Sequence, residues 1–156
     1  MRIALSADHA GFHLKRELTA AVEALGHTVL DLGTHSTDPV DYPDSAEAAA
    51  LAIVDGRAER AIVVCGSGAG VSIAANKVPG VRAAVCHDTY SAHQAVEHDD
   101  MNLLCLGARV VGGAVAVELV TAFLGARFSG EERHRRRLDK VLAIERRFTK
   151  VPAGTS

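Results

Sequence analysis

Tryptophan is absent from this chain, and all aromatic residues together make up only 4 % of it. A core has to be assembled from small aliphatic side chains packed closely, and the aromatic platforms on which single-stranded nucleic acid stacks are missing. An excess of either charge is lacking too: 17 Lys and Arg stand against 19 Asp and Glu, a formal net charge of −2. That balance excludes a global pull toward nucleic acid or an anionic membrane, so anion chemistry must come from a local basic cluster. Cysteines are few and odd in number. Cys65, Cys86 and Cys105 lie about twenty residues apart in or beside apolar runs, which fits neither a disulfide framework nor a CxxC zinc site and implies a reducing compartment. No apolar run approaches the roughly 20 residues of a membrane span. The start, MRIALSADHAG, enters a strand pattern at once instead of the apolar stretch of a signal peptide. A cytoplasmic protein with no membrane partner is expected.

What is present is ample aliphatic material, 48 % of 156 residues being hydrophobic, enough for one domain core without staples. Strand-length apolar runs recur at Ile3 to Ala7, Thr28 to Leu32, Ala61 to Cys65, Arg82 to Cys86 and Leu103 to Leu106. Between the first two, Leu14, Leu18, Ala21, Val22 and Leu25 share one helical face, and Gly26 stops the helix. Residues 44–55, 69–77, 89–98 and 113–125 read as further helices. A last one spans about 131–148, where Leu138, Val141 and Leu142 repeat at i, i+3 and i+4 among charges. Alternating β and α segments with short links predict right-handed crossovers. The expected fold class is α/β, a three-layer Rossmann-like doubly wound sheet of five parallel strands in the order 2-1-3-4-5. It would form a single domain over residues 1–150, with a flexible tail at 151–156. In such a sheet, ligands bind at the carboxyl ends of the first and third strands, where the winding reverses. There the chain carries Asp8-His9 and Cys65-Gly66-Ser67-Gly68-Ala69-Gly70.

The stretch VVCGSGAGVSIAANK has alternating glycines after a buried strand, which let successive N–H groups turn toward an anion at the start of a helix. It is not a Walker loop, because no Gly-Lys-Ser/Thr closes it, and Val71 stands where a dinucleotide fingerprint needs its third glycine. The structural alternative is a turn whose glycines merely permit tight packing. A cysteine ending an apolar strand is usually a small core residue. The placement of Cys65 at a predicted helix start favours instead a thiolate stabilised by local positive potential. Cys86 and Cys105 have no such placement and read as packing residues. Of the eight histidines, His9 directly follows the first strand. His98 lies in EHDDMN before the fifth strand, where loop residues are expected to face the same carboxyl edge. No metal site is expected, since Cys86-His87-Asp88 and the pair His93/His98 lack ligand spacing for zinc and no acidic cage suits magnesium. In EERHRRRLDK, Arg133 and Arg137 fall at i and i+4 on one helical face, where two guanidinium groups could grip a phosphate. A solvated basic face is the alternative. Nucleic-acid binding is disfavoured.

SADHAG, VDYP at 40–43, CGSGAGVSIAANKVPGVRAA, EHDDMNLLCLGARVVG and RHRRRLDK, in this order across nearly the whole chain, resemble the type B ribose-5-phosphate isomerases. That group also includes allose-6-phosphate and galactose-6-phosphate isomerases. The resemblance implies an aldose-ketose isomerase acting through an enediolate without cofactor. It also implies a homodimer or homotetramer whose active sites are shared between subunits, with a small sugar phosphate as substrate. Carried over by position, Cys65 is the base that moves a proton between C2 and C1. Some members instead have glycine there and use a glutamate at the position of Val71. The backbone from Gly66 through Gly68 and Ala69 to Gly70 would hold the enediolate oxygens, and Ser67 would assist hydroxyl proton transfer. His98 would open the sugar ring with Asp8 nearby. His9, Arg109, Arg133 and Arg137 would bind phosphate, partly from the partner chain, and Tyr42 would line the site. One departure stands out: His98 is followed by Asp99, where His-Asn is expected, so an amide among the substrate contacts becomes a carboxylate. Isomerisation of another sugar phosphate, such as a tetrose phosphate, or a non-catalytic phosphosugar-binding module on the same fold are the alternatives.

Overall fold

The computed structural model describes residues 1–150; the expected tail at 151–156 lies outside the described residues. The chain alternates strand and helix throughout. β1 (Arg2–Ala7) leads through a short 3-10 turn to α1 (Phe12–Ala24). β2 (Thr28–Asp31), α2 (Tyr42–Val54), β3 (Arg60–Cys65), α3 (Ala69–Ala75), β4 (Ala83–Val85), α4 (Thr89–Asp99) and β5 (Leu103–Gly107) follow, and α5 (Gly113–Gly125) and α6 (Glu132–Phe148) complete it. All strand pairs are parallel. Because side chains alternate across a strand, each strand feeds two cores. Ile3, Leu5, Ile62, Val64, Leu104 and Leu106 face α1, α4 and α5. Ala4, Ala61, Val63, Cys65, Leu103 and Cys105 face α2 and α3. The second layer is thin because α2 presents alanines, Ala46, Ala49, Ala50 and Ala52, all fully buried.

The doubly wound α/β class holds, but the strand order is corrected from 2-1-3-4-5 to β2-β1-β3-β5-β4. Burial explains the exchange. Every residue of β5 is buried, which suits a strand bonded on both sides, whereas β4 has three residues of partial exposure and closes the edge. The crossover from β3 to β4 skips a position, and α4 brings the chain back. A right-handed crossover running in the reverse direction falls on the opposite face, which puts α4 on the face of α1 and α5, next to α5. The reversal between β1 and β3 is untouched, so the carboxyl ends of those strands still open onto one crevice. α1 enters that region tightly: a Cβ on Gly11 would lie 2.7 Å from the carbonyl carbon of Val64. Only glycine lets the start of α1 meet β3 so closely.

Candidate active site

Cys65 is the last residue of β3 and is 5 % exposed. The chain then turns sharply, with Gly68 at φ +81°, a left-handed conformation natural to glycine. This turn brings the Gly68 N–H to 3.1 Å from the Cys65 Sγ. A peptide N–H can only donate, so the Cys65 sulfur is the acceptor in this contact. The Ser67 hydroxyl accepts from the Ala69 N–H at 3.2 Å. The loop rests on β5: a Cβ on Gly107 would come within 2.6 Å of the Ser67 carbonyl carbon. The N–H groups of Ala108 and Arg109 donate to the carbonyls of Cys65 and Gly66 at 2.8 and 3.0 Å.

The neighbouring strand end supplies a fixed carboxylate. Asp8, 7 % exposed, follows β1 and accepts at Oδ1 from the N–H groups of Ala10 and Gly11, at 3.0 and 3.1 Å. Tyr42 opens α2 with its ring against Gly70, where a Cβ would meet the ring at 2.8 Å. The Arg109 guanidinium covers Gly66, whose Cβ would lie 3.1 Å from Nη1. Asp8, Tyr42, Cys65, Gly66, Ser67, Gly70, Arg109 and Val110 line an open cavity of about 340 Å³, within the range of small-ligand sites. Gly68 and Ala69 support this wall without lining it. His9 stands beside it, its Nδ1 accepting from the Val40 N–H at 3.2 Å.

His98, Asp99, Arg133 and Arg137 are not in that cavity. The expectation that His98 faces the carboxyl edge is corrected, because the segment leading into a parallel strand lies at its amino edge. His98 sits in the last turn of α4, ahead of β5, whereas Cys65 is level with Gly107 at the other end of that strand. There His98 stacks on His134 of α6, ring centroids 3.9 Å apart and planes 25° apart. It also pairs with Gln94 at 2.9 Å through Nδ1. His134, only 2 % exposed, was not singled out from the sequence; it hides in the run Arg133-His134-Arg135, and its burial depends on a helix far away in the chain. Burial, with His98 and Arg133 close by, holds its imidazole below the ordinary range. Arg133 is exposed and bonded to Glu131 at 3.0 Å, and Arg137 is exposed one turn on. Asp99 lines a separate apolar groove of about 960 Å³ between α6 and the β4 edge. That groove is larger than the Cys65 cavity but holds no thiol or histidine, so its size marks packing surface and not chemistry.

The other thiols differ in kind from Cys65. Burial, then the Asp88 charge, pushes Cys86 up to about 11. Cys105, inside β5 and fully buried, is pushed higher still by its burial. Among the described residues no cluster of three or more His, Cys, Asp or Glu is placed to hold a metal. Among them, too, no helix is long and apolar enough to cross a membrane.

Residues 3–141 match the family described as Ribose/Galactose Isomerase. The chain belongs to that family. It is 45 % identical over 146 residues to ribose-5-phosphate isomerase B of Escherichia coli, covering 94 % of this chain and 97 % of that one. It is also 45 % identical, over 134 residues, to a D-erythrulose-4-phosphate isomerase of Pectobacterium atrosepticum, covering 83 % of this chain and 86 % of that one. The solved ribose-5-phosphate isomerase B of Clostridium thermocellum superposes with a TM-score of 0.92 at 46 % identity, over 96 % of this chain and all of that one. As a member of the ribose/galactose isomerase family, the chain is a sugar-phosphate isomerase.

Proposed function

We propose that this isomerase interconverts D-ribose 5-phosphate and D-ribulose 5-phosphate through an enediolate, with Cys65 as the base. The observation that carries the reading is the Cys65 sulfur, with its N–H partner at 3.1 Å, facing a small cavity that also holds Asp8, Ser67 and Arg109. The chemistry balances without a redox partner. His98 of the partner subunit assists ring opening: the C1 hydroxyl loses its proton, the ring oxygen gains one, and the bond between C1 and that oxygen breaks. The Cys65 thiolate then takes the C2 proton, and the electron pair forms a C1–C2 double bond while charge moves onto the C1 oxygen. Fixed N–H donors in the Gly66 to Gly70 loop, preorganised before the charge appears, stabilise that oxygen. Ser67 passes a proton between the two oxygens, Cys65 returns its proton to C1, and the ketose results.

Phosphate binding falls to His9 and Arg109 of one subunit and to Arg133 and Arg137 of its neighbour, in a homodimer or homotetramer with shared sites. Two features support this division. His98, Arg133 and Arg137 lie outside the Cys65 cavity of their own chain. The outer helix leaves Val141, Ile144 and Phe148 49 %, 52 % and 74 % exposed, an apolar stripe of the kind that marks association surfaces.

The similarity to an erythrulose-4-phosphate isomerase favours a tetrose phosphate as second substrate reading. A panel of ribose, allose, galactose and erythrulose phosphates at matched concentrations separates the two. Ribose 5-phosphate should give the highest kcat/KM, and Cys65→Ser should abolish most turnover while substrate still binds. Near-normal turnover in Cys65→Ser ends the cysteine-base reading, and a preference for the tetrose replaces the substrate.

A further inference from the structure

His87 is one residue past Cys86, in the link between β4 and α4, and its Nε2 lies 3.0 Å from the Gly107 backbone nitrogen. The donor in this contact is fixed by chemistry, since a peptide N–H can only donate. The imidazole nitrogen facing it therefore carries a lone pair, and the ring is neutral with its proton on Nδ1. The need for such an acceptor follows from the sheet. β4 pairs with β5 at Ala83–Leu103, Ala84–Leu104 and Val85–Cys105 and then stops. Along β5 the backbone donors alternate sides: the Ala108 N–H goes to Cys65 of β3, so the Gly107 N–H points to the side that β4 has already left. Gly107 is buried, and a buried peptide N–H without a partner is costly.

The peptide so held is the seat of the thiol loop. A Cβ on Gly68 would lie 3.0 Å from the Leu106 carbonyl carbon and 3.2 Å from the Gly107 nitrogen, and the Ser67 backbone lies on the Gly107 Cα. The same Gly107 accepts, at its carbonyl, the N–H groups of Val110 and Val111 at 3.0 and 3.1 Å, in the turn that carries Arg109. Gly68, whose backbone packs on this peptide, donates the N–H to Cys65. We propose that His87 is a positioning residue for the Cys65 loop, its neutral imidazole replacing the strand carbonyl that the short β4 does not provide. The assignment rests on the reading of Cys65 as the base, because only then does the seat of its loop bear on turnover.

The test begins on the full-length wild-type protein labelled with ¹⁵N, by long-range proton–nitrogen spectra of the histidine rings. His87 should show a protonated Nδ1 and a bare Nε2, with the Gly107 amide strongly protected from exchange. A protonated Nε2, or a fast-exchanging Gly107, overturns the proposal regardless of activity and regardless of whether any variant folds. Turnover is then measured on whichever sugar phosphate of the panel the wild-type enzyme converts best. His87→Leu, which removes the acceptor, should lower kcat about tenfold with KM within about twofold, since the loop orients the base more than it holds the substrate. His87→Gln, which restores an acceptor of similar reach, should stay within about threefold of wild type. A His87→Leu enzyme with wild-type kcat, or a His87→Gln enzyme as slow as His87→Leu, overturns the assignment. Failure of the underlying base reading is seen separately, as turnover that survives Cys65→Ser while the His87 tautomer and Gly107 protection stay as expected.

Discussion

Three buried thiols around one sheet show how far surroundings, and not residue type, decide chemistry. Cys105 is enclosed on every side and Cys86 is buried near a carboxylate, so both hold their protons tightly. Cys65 borders a cavity and has an N–H aimed at its sulfur. Because the thiolate is the reactive form, brief iodoacetamide treatment of the native protein at neutral pH should label Cys65 alone. Unfolding in denaturant should release all three, and peptide mass spectrometry reads both states. Labelling of Cys105 ahead of Cys65 in the native protein contradicts this ordering. Cys65, Asp8 and the glycine loop were legible in the sequence because each ends or directly follows a strand, and strand ends are local features. His134 and His87 were not legible. Their meaning lies in a stacked ring or a backbone donor that the fold delivers from another element.

Secondary elements were legible where periodicity was strong, and their neighbours in the sheet were less so. Chain order alone placed β4 next to β3, and only the contrast between a wholly buried β5 and a short, half-exposed β4 reverses the two. The fold also contains a pair that no periodicity announces. Lys15 lies on the inner face of α1 at 1 % exposure, and its Nζ reaches Asp31 Oδ1 at 2.6 Å and the Thr34 carbonyl at 2.8 Å. This pair pins the beginning of the link from β2 to α2, the same link whose Val40 donates to His9. Partial burial by itself would raise the Asp31 carboxyl. The hydrogen bonds from Lys15 and the Gly33 N–H, with the Lys15 charge, outweigh burial and hold the carboxyl below its ordinary value. A group depressed in the folded state contributes stability above its unfolded pKa, near 4, and loses it as pH falls through the folded value. Lys15→Met should destabilise the protein by about 1–3 kcal/mol at neutral pH, the Thr34 carbonyl losing its donor while water partly serves the half-exposed Asp31. It should also shrink the stability difference between neutral pH and about pH 3. Urea melts at the two pH values measure both effects; an unchanged difference in Lys15→Met would mean that Asp31 owes its depression to the Gly33 N–H and the nearby His35 and not to Lys15.

At the scale of the whole molecule, the proposed site residues of a single chain fall into two groups at opposite ends of its sheet. The thiol, the carboxylate and Arg109 open onto a cavity at the carboxyl ends of β1 and β3. His98, His134, Arg133 and Arg137 gather where α4 meets α6, at the amino side of β5. Within one subunit the two groups lie at opposite ends of β5. In the proposed division of labour, each subunit of a symmetric pair lends its α4–α6 group to the other, which would complete both sites at once. The arrangement has a signature that separates it from any self-sufficient subunit. Cys65→Ser removes the proposed base from one group, and the double variant Arg133→Ala/Arg137→Ala removes the proposed clamp from the other. Each homogeneous variant should be nearly inactive at substrate concentrations below the wild-type KM. When the two are unfolded together in equal amounts and reassembled at random, about half of the dimers should be hybrids. In each hybrid one site receives both defects and the other receives none, so the mixture should recover about one quarter of wild-type activity per subunit. Sedimentation should show dimers or larger before and after mixing. If hybrids form, as shown by mass spectrometry of the intact assemblies, and activity does not return, the thiol and the arginine clamp act within one chain. The exposed stripe Val141, Ile144 and Phe148 would then need another explanation.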